Sequence, residues 1–218
     1  MVTSPIAGLI LGALFMGLLY VLLQNARPAK VNRFFGIAQI FSAGSMGVMH
    51  GTNDAQKTMG IIALTLLEAT RAGRLSNLPH WMSFLQMPEP GAGKDLGIPA
   101  WIKVVCAVTM AAGTAVGGWR IIRTLGHKLV KLHPINGFAA EASSATVIAV
   151  ATSLGIPVST THNVSAAIMG VGAAKRFNAI KWTVVERMVW AWIFTIPVSG
   201  VVAYILVRLL HAATGATL

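Results

Sequence analysis

Negatively charged residues are scarce in this sequence of 218 residues, which has six Asp and Glu against 17 Lys and Arg. Charged residues of both signs make up only 11% of the chain, whereas a soluble domain has about 25%. With 55% apolar residues, the composition predicts an integral membrane protein. The net charge of +11 would indicate nucleic-acid binding in a soluble protein. Here the basic residues stand between apolar runs, as the positive-inside rule describes, and we expect no nucleic-acid partner.

Cysteine is almost absent as well. The single Cys106 lies in an apolar run, so the chain forms no intrachain disulfide. This excludes a small fold that depends on disulfides for its stability.

Three apolar runs have the length and composition of membrane-spanning helices. They occupy residues 5–23, 100–118 and 188–207, and each is close to the roughly 20 residues that a crossing requires. The sequence therefore predicts one multi-pass domain over residues 1–218, embedded in the lipid bilayer of the cell membrane. Residues 70–99 are rich in proline and glycine and are predicted to form an extramembrane loop. Residues 119–132 are predicted to form a basic amphipathic linker.

The segment HGTNDAQKTMG, residues 50–60, places polar side chains between two apolar runs. An ionisable group within a bilayer costs about 2.5–3.5 kcal/mol even on the lenient insertion scale, so Asp54 is expected to face a cation, water or a polar substrate. The surrounding glycines favour two half-helices that meet at this segment within residues 34–69. Two short full spans joined at the segment are the alternative. A purely structural ion pair between Asp54 and Lys57 is a further alternative.

A second informative region covers residues 134–174, where Glu141 is the only formal charge. Gly155 and Pro157 divide this region into two short apolar arms, and the hydroxyl residues Ser159, Thr160 and Thr161 open the second arm. Ser or Thr at that point is suited to cap a helix N-terminus. The pattern predicts a re-entrant helical hairpin whose tip is buried in protein. The chain as a whole is predicted to be all-α, with broken helices.

These polar groups can serve an anion and a cation together. The N–H groups at a helix N-terminus suit an oxyanion, and carboxylate and carbonyl oxygens suit a hard cation such as sodium. Each hydroxyl can also do no more than bond the preceding helical turn, and Glu141 can be a solvated residue at the interface. His50 and Asp54 are too few for a dedicated metal site, and no cofactor is expected. Neighbouring side chains diverge on a helix, so a hydrolase pair of Ser159 and His162 is disfavoured, and the chain is not expected to be an enzyme.

Four segments together resemble the inorganic phosphate transporter (PiT) family. They are HGTNDAQKTMG at 50–60, GWRIIRTLG at 118–126, NGFAAE at 136–141 and GIPVSTTH at 155–162. The resemblance implies phosphate uptake coupled to sodium or protons, by alternating access between two inverted halves. It implies that Asn53, Ser159, Thr160 and Thr161 bind phosphate. It assigns Asp54, Asn53 and Glu141 to the coupling cation.

Only the second of the two related halves of this family is recognisable in the chain. The resemblance therefore implies a C-terminal half whose site is completed by a missing N-terminal half or by a second copy, as in a homodimer. The alternative function is that of a non-transporting half-subunit, or a truncated fragment, which assembles with a partner chain.

Overall fold

The structure is a computed structural model that describes residues 3–87, 97–123, 133–175 and 180–214, and all regular structure in those ranges is helical. A short 3₁₀ helix, His80–Leu85, lies in the segment that joins the second and third α-helices. In chain order the α-helices are α1 (Thr3–Leu23), α2 (Pro28–Arg71), α3 (Ala100–Arg123), α4 (Pro134–Ser153), α5 (Thr160–Lys175) and α6 (Trp182–Thr214).

Three of these helices are long and apolar enough to cross a membrane. They are α1, the Ala100–Gly118 part of α3 and the Trp182–Ala212 part of α6. The three spans predicted from hydropathy are thereby confirmed. Pro197 lies inside α6 without ending the helix, as expected for a kink in a spanning helix.

The predicted break within residues 34–69 is wrong, because α2 is one continuous helix of 44 residues. The glycines that favoured a break do not interrupt the helix. They also allow no close approach of another backbone, since neither Gly44 nor Gly51 has a neighbouring atom within 4 Å of the position a Cβ would take. Within the described residues, positive φ angles occur only at Gly73 and Gly155, both outside α2. Three polar side chains of α2, Asn53, Asp54 and Lys57, bond to the hairpin from a helix that stays intact.

The two predicted arms are confirmed as α4 and α5, which pack against each other and are joined by residues 154–159. The prediction that the tip is buried in protein is not borne out within the described residues, because residues 153–157 are exposed and burial begins only at Val158. Gly155 takes a left-handed φ of +66° directly after α4, a conformation that glycine adopts without steric cost. Pro157 follows, where it cannot continue the helix. The membrane side on which the hairpin ends is still a prediction.

Helix α1 packs along α5 in the same direction, with the two backbones in contact. A Cβ on Gly12 would lie 2.5 Å from the carbonyl oxygen of Ala167, and one on Gly170 would overlap the carbonyl oxygen of Leu9. Gly8 and Gly12, four positions apart, thus allow the two helices to approach closely. By contrast, Gly113 and Gly117 have the same spacing in α3, and among the described residues nothing lies within 4 Å of the position a Cβ would take at either one.

The apolar core of the described residues has three clusters. One packs α1 against the hairpin, through Met16, Ala139 and Met169. A second joins α2 to the hairpin through Met46 and Ile148, and a third joins α2 to α3 through Leu67 and Ile102. The most apolar 18-residue stretch of α6 has no buried residue, so its surface is available to lipid or to another helix.

The loop predicted at residues 70–99 contains the 3₁₀ helix, in which Trp81 is 73% exposed. Residues 88–96 lie outside the described residues, and so do residues 124–132 of the predicted basic linker. The extramembrane position of the loop stays a prediction.

Candidate functional site

Asp54 is the centre of a polar cluster between α2 and the tip of the hairpin. Its Oδ2 accepts a hydrogen bond from the Thr160 hydroxyl at 3.0 Å and lies 2.9 Å from Nε2 of His50. Its Oδ1 lies 3.1 Å from the ammonium nitrogen of Lys57. Thr160 begins α5 and is buried, whereas the Asp54 side chain is 29% exposed. The sequence prediction that Asp54 and the hydroxyl-rich tip converge is therefore confirmed.

Lys57 connects the two parts of the cluster. Its ammonium bonds Asp54 on its own helix and also donates to the main-chain carbonyl of Val158, three residues beyond Gly155. The predicted Asp54–Lys57 ion pair thus exists, but it is part of a larger arrangement. A partly exposed ion pair contributes little stability by itself, so the main effect of Lys57 is to position the hairpin tip.

The three predicted hydroxyl residues have different environments. Ser159 immediately precedes α5, and its Oγ accepts the backbone N–H of His162 at 3.4 Å, the bond expected of a helix cap. Thr160 points to Asp54, and Thr161 is exposed. The first residue of α5 therefore contacts the Asp54 carboxylate through its hydroxyl, and Val158, two residues earlier, contacts the Lys57 ammonium through its carbonyl.

Two buried amides flank the cluster. Asn53 is 4% exposed and donates from Nδ2 to the Thr152 hydroxyl at 2.9 Å, while Asn163 is fully buried and donates to the Ser144 hydroxyl at 2.8 Å. In both amides Oδ1 is buried and has no hydrogen-bond partner among the described residues. An unpaired buried acceptor is costly, so these two oxygens are suited to a cation or a donor group.

Glu141 does not belong to the Asp54 cluster. Its carboxylate accepts the hydroxyl of Ser42, which lies 12 positions before Asp54 on α2. At 1.5 Å per residue this separation is about 18 Å along the helix. Glu141 is half-buried, so it is a separate polar position between α2 and α4.

His162 makes no pair with the Ser159 hydroxyl that would suit hydrolysis. Its ring stacks on Trp192 of α6 with centroids 4.5 Å apart, and the Ser159 oxygen is directed at its backbone instead. The arrangement is therefore structural.

Sequence reasoning missed three of these contacts: Lys57 with Val158, Asn53 with Thr152, and Asn163 with Ser144. The sequence did indicate that Asn53 and Asn163 correspond to each other, because Asn53 and Gly60 have the same spacing as Asn163 and Gly170. Nothing in the sequence indicated the partners, which lie 19 to 101 residues away.

A cavity of about 910 Å³ lies between α2 and α3 and does not contain the Asp54 cluster. Its walls are mostly apolar, and the polar exceptions are Thr52, Gln56, Lys103 and Thr114. The cavity and the Asp54 cluster are therefore separate features of α2.

Comparison with known proteins agrees with this geometry. The sequence model of the phosphate transporter family matches residues 1–203. The chain is 35% identical over 213 residues to a Bacillus subtilis (strain 168) protein named "Probable low-affinity inorganic phosphate transporter", covering 96% of this chain and 58% of that protein. It is 38% identical over 202 residues to a Rhizobium meliloti (strain 1021) protein of the same name, covering 93% and 54%.

A solved structure of a sodium-dependent phosphate transporter matches with a TM-score of 0.60 and 26% identity, over 80% of this chain and 40% of that one. The chain spans about half the length of the curated relatives it matches. The family and the named relatives are transporters and not enzymes. This all-helical, multi-pass membrane chain therefore belongs to the phosphate transporter family.

Proposed function

We propose that this chain forms part of a pathway that moves inorganic phosphate across the cell membrane, coupled to a sodium or proton gradient by alternating access. The observation that carries the proposal is the 3.0 Å hydrogen bond from Thr160 to Asp54. It brings a helix N-terminus and its hydroxyl groups, which suit an oxyanion, to a carboxylate that suits a cation. Burial of opposite charges side by side offsets much of the cost of burying either one.

Phosphate is proposed to bind at the tip of the hairpin. Ser159, Thr160 and Thr161 would supply hydroxyl donors, the first turn of α5 would supply N–H groups, and Asn53 would contribute its amide. Asp54 repels an anion at this place, and the neighbouring ammonium of Lys57, 3.1 Å away, offsets that repulsion. Neutral donors hold phosphate without the full charge pairing that would slow its release.

The cation is proposed to interact with Asp54 and with the unpaired Oδ1 of Asn53. Glu141 is proposed as a second position for the cation, separated from Asp54 by about 18 Å along α2. Two observations support these roles. Oδ1 of Asn53 is buried without a hydrogen-bond partner among the described residues, and the carboxylate of Glu141 is half-buried.

The test is phosphate uptake by a two-chain transporter. This chain would be produced together with the part of the Bacillus subtilis relative that it does not cover, in bacteria that lack their own phosphate uptake. Asp54→Asn and Thr160→Ala are expected to lower uptake at least tenfold. Glu68→Gln and Thr195→Ala are matched controls, since Glu68 is an exposed ion-pair residue and Thr195 bonds only its own helix. Near-normal uptake in both site variants would remove the assignment.

A second candidate function is favoured by the length of the chain relative to its relatives. A chain that spans about half of them carries only part of a pathway, and the cluster has an open side, since His50 is 45% exposed and Thr161 is exposed. In this alternative the chain is a half-subunit that acts only with a partner, either the missing half or a second copy. Liposomes that contain this chain alone, under a sodium gradient and then a proton gradient, show whether a second copy can complete the pathway. Uptake by the chain alone contradicts the need for a different partner chain.

A further inference from the structure

The sequence indicated Lys57 only as an ion-pair partner of Asp54, yet the Lys57 ammonium contacts two different elements of the structure. Its ammonium lies between two oxygens from different elements, namely Oδ1 of Asp54 on α2 and the carbonyl of Val158 in the hairpin. A carboxylate oxygen and a main-chain carbonyl are the ligands that a hard metal cation takes in proteins. The Lys57 ammonium therefore has the ligands, and the position, of a bound metal cation.

We propose that Lys57 is a built-in substitute for sodium at Asp54, so that this chain binds no sodium there. The proposal rests on the proposed function and narrows it: of the two coupling ions proposed above, sodium is excluded from Asp54, which leaves a proton at Asp54 and leaves Glu141 as the position open to sodium. The ammonium and a sodium ion would need the same two oxygens, and two positive charges that close repel each other. The tethered ammonium is also present at high effective concentration, because it lies on the same helix, three residues after Asp54.

The other contacts of Asp54 support this assignment. Oδ2 is already engaged by Thr160 and His50, at 3.0 Å and 2.9 Å, which leaves Oδ1 as the oxygen that faces Lys57. A metal ion would have to replace Lys57 and would then join the same two elements. Lys57 thus does permanently what a bound ion would do reversibly: it holds the hairpin tip against α2.

Removal of the ammonium should consequently open a sodium site. In Lys57→Gln, Asp54 and the Val158 carbonyl stay in place, and the shorter neutral side chain leaves room for an ion. The 218-residue chain purified in detergent is the sample, and its thermal unfolding is the measurement, in sodium chloride against choline chloride at equal ionic strength. The wild-type chain is expected to show no sodium-specific change in Tm that Asp54→Asn abolishes. Lys57→Gln is expected to gain about 4–7 °C when sodium is about twentyfold above its Kd.

Two further variants make the result specific. Lys103→Gln removes an exposed lysine beside the α2–α3 cavity and is expected to stay insensitive to sodium. Asp54→Asn combined with Lys57→Gln is expected to lose the gain, since the carboxylate is the main ligand. Potassium chloride in place of sodium chloride shows whether the effect belongs to the ion or to ionic strength.

The proposal is overturned if the wild-type chain has a sodium-specific stabilisation that Asp54→Asn abolishes, or if folded Lys57→Gln stays insensitive to sodium. Lys57→Met is the second neutral variant and is judged by the same outcomes. If neither variant folds, the wild-type measurement decides alone: insensitivity supports the proposal, and stabilisation that depends on Asp54 contradicts it. Phosphate uptake is not part of this readout, so a failure of the proposed transport function is distinguished from a failure here.

Discussion

Replacement of Thr160 by valine tests the contact on which the candidate site depends. Valine keeps nearly the shape of threonine but removes the hydroxyl that donates to Asp54 at 3.0 Å. A hydrogen bond to a charged group contributes about 1.5–3 kcal/mol. We expect the lower end, about 1.5 kcal/mol, because Asp54 keeps His50 and Lys57 as partners. For a chain of this size that loss lowers Tm by about 3–6 °C.

The assay can use the chain as it stands. Cys106 is the only cysteine in the sequence, is 8% exposed and packs against α2, so its reaction with a fluorogenic maleimide reports when α2 and α3 separate. Thr195→Val is the matched control, because Thr195 is exposed and bonds only the carbonyl of Ala191. Its effect should be within about 0.5 kcal/mol of zero.

A double-mutant cycle gives the refutation. If Thr160 acts through Asp54, the destabilisation caused by Thr160→Val should largely vanish in an Asp54→Ala background, which leaves no side-chain acceptor for the hydroxyl. Strict additivity of the two changes, or a Thr160→Val effect no larger than that of Thr195→Val, would show that the contact does not hold the hairpin tip.

Two other contacts give predictions of their own. Gly170→Ala should destabilise the chain by about 1–3 kcal/mol, since the new Cβ overlaps backbone atoms of α1 that no rotamer change can move. Gly200→Ala, with open space around it, should be neutral or stabilising. Thermal unfolding measures both variants, and equal effects would contradict the described packing of α1 on α5. Ser42→Ala should lower the free energy of unfolding by about 1–3 kcal/mol, because it removes the hydrogen-bond donor to half-buried Glu141. Ser153 is exposed, so Ser153→Ala should change the free energy of unfolding by less than about 0.5 kcal/mol. If the two serine variants unfold alike, the Ser42–Glu141 bond does not stabilise the fold.

Local chemistry made part of the fold predictable. The three apolar spans followed from length and hydropathy, and the turn of the hairpin followed from Gly155 and Pro157, whose backbone preferences are strong. The capping role of Ser159 followed in the same way. In each case the interaction that decides the structure is between residues close together in the sequence, so a short stretch of sequence is enough to predict it.

The continuity of α2 was not predictable in this way. Glycines and polar residues near Asp54 are compatible both with a broken helix and with an intact helix that has a polar face. The choice depends on partners at the hairpin tip, such as the Val158 carbonyl, which lies 101 residues from Lys57. The same reason explains why the partners of Asn53 and Asn163 were missed, although both amides were recognisable as buried polar residues.

The unbroken length of α2 has a consequence for how the chain meets lipid. At 1.5 Å per residue its 44 residues extend about 66 Å, roughly twice the 30 Å thickness of the hydrocarbon layer. The hairpin contacts α2 from Phe35 to Lys57, while α3 lines α2 from Gly47 to Leu67. The two contact regions overlap only in part, and an α2 of this length fits within a flat membrane only if it leans steeply or curves. The run of glycines at 44, 47 and 51, free of neighbours within 4 Å, is where such a curve meets the least steric resistance.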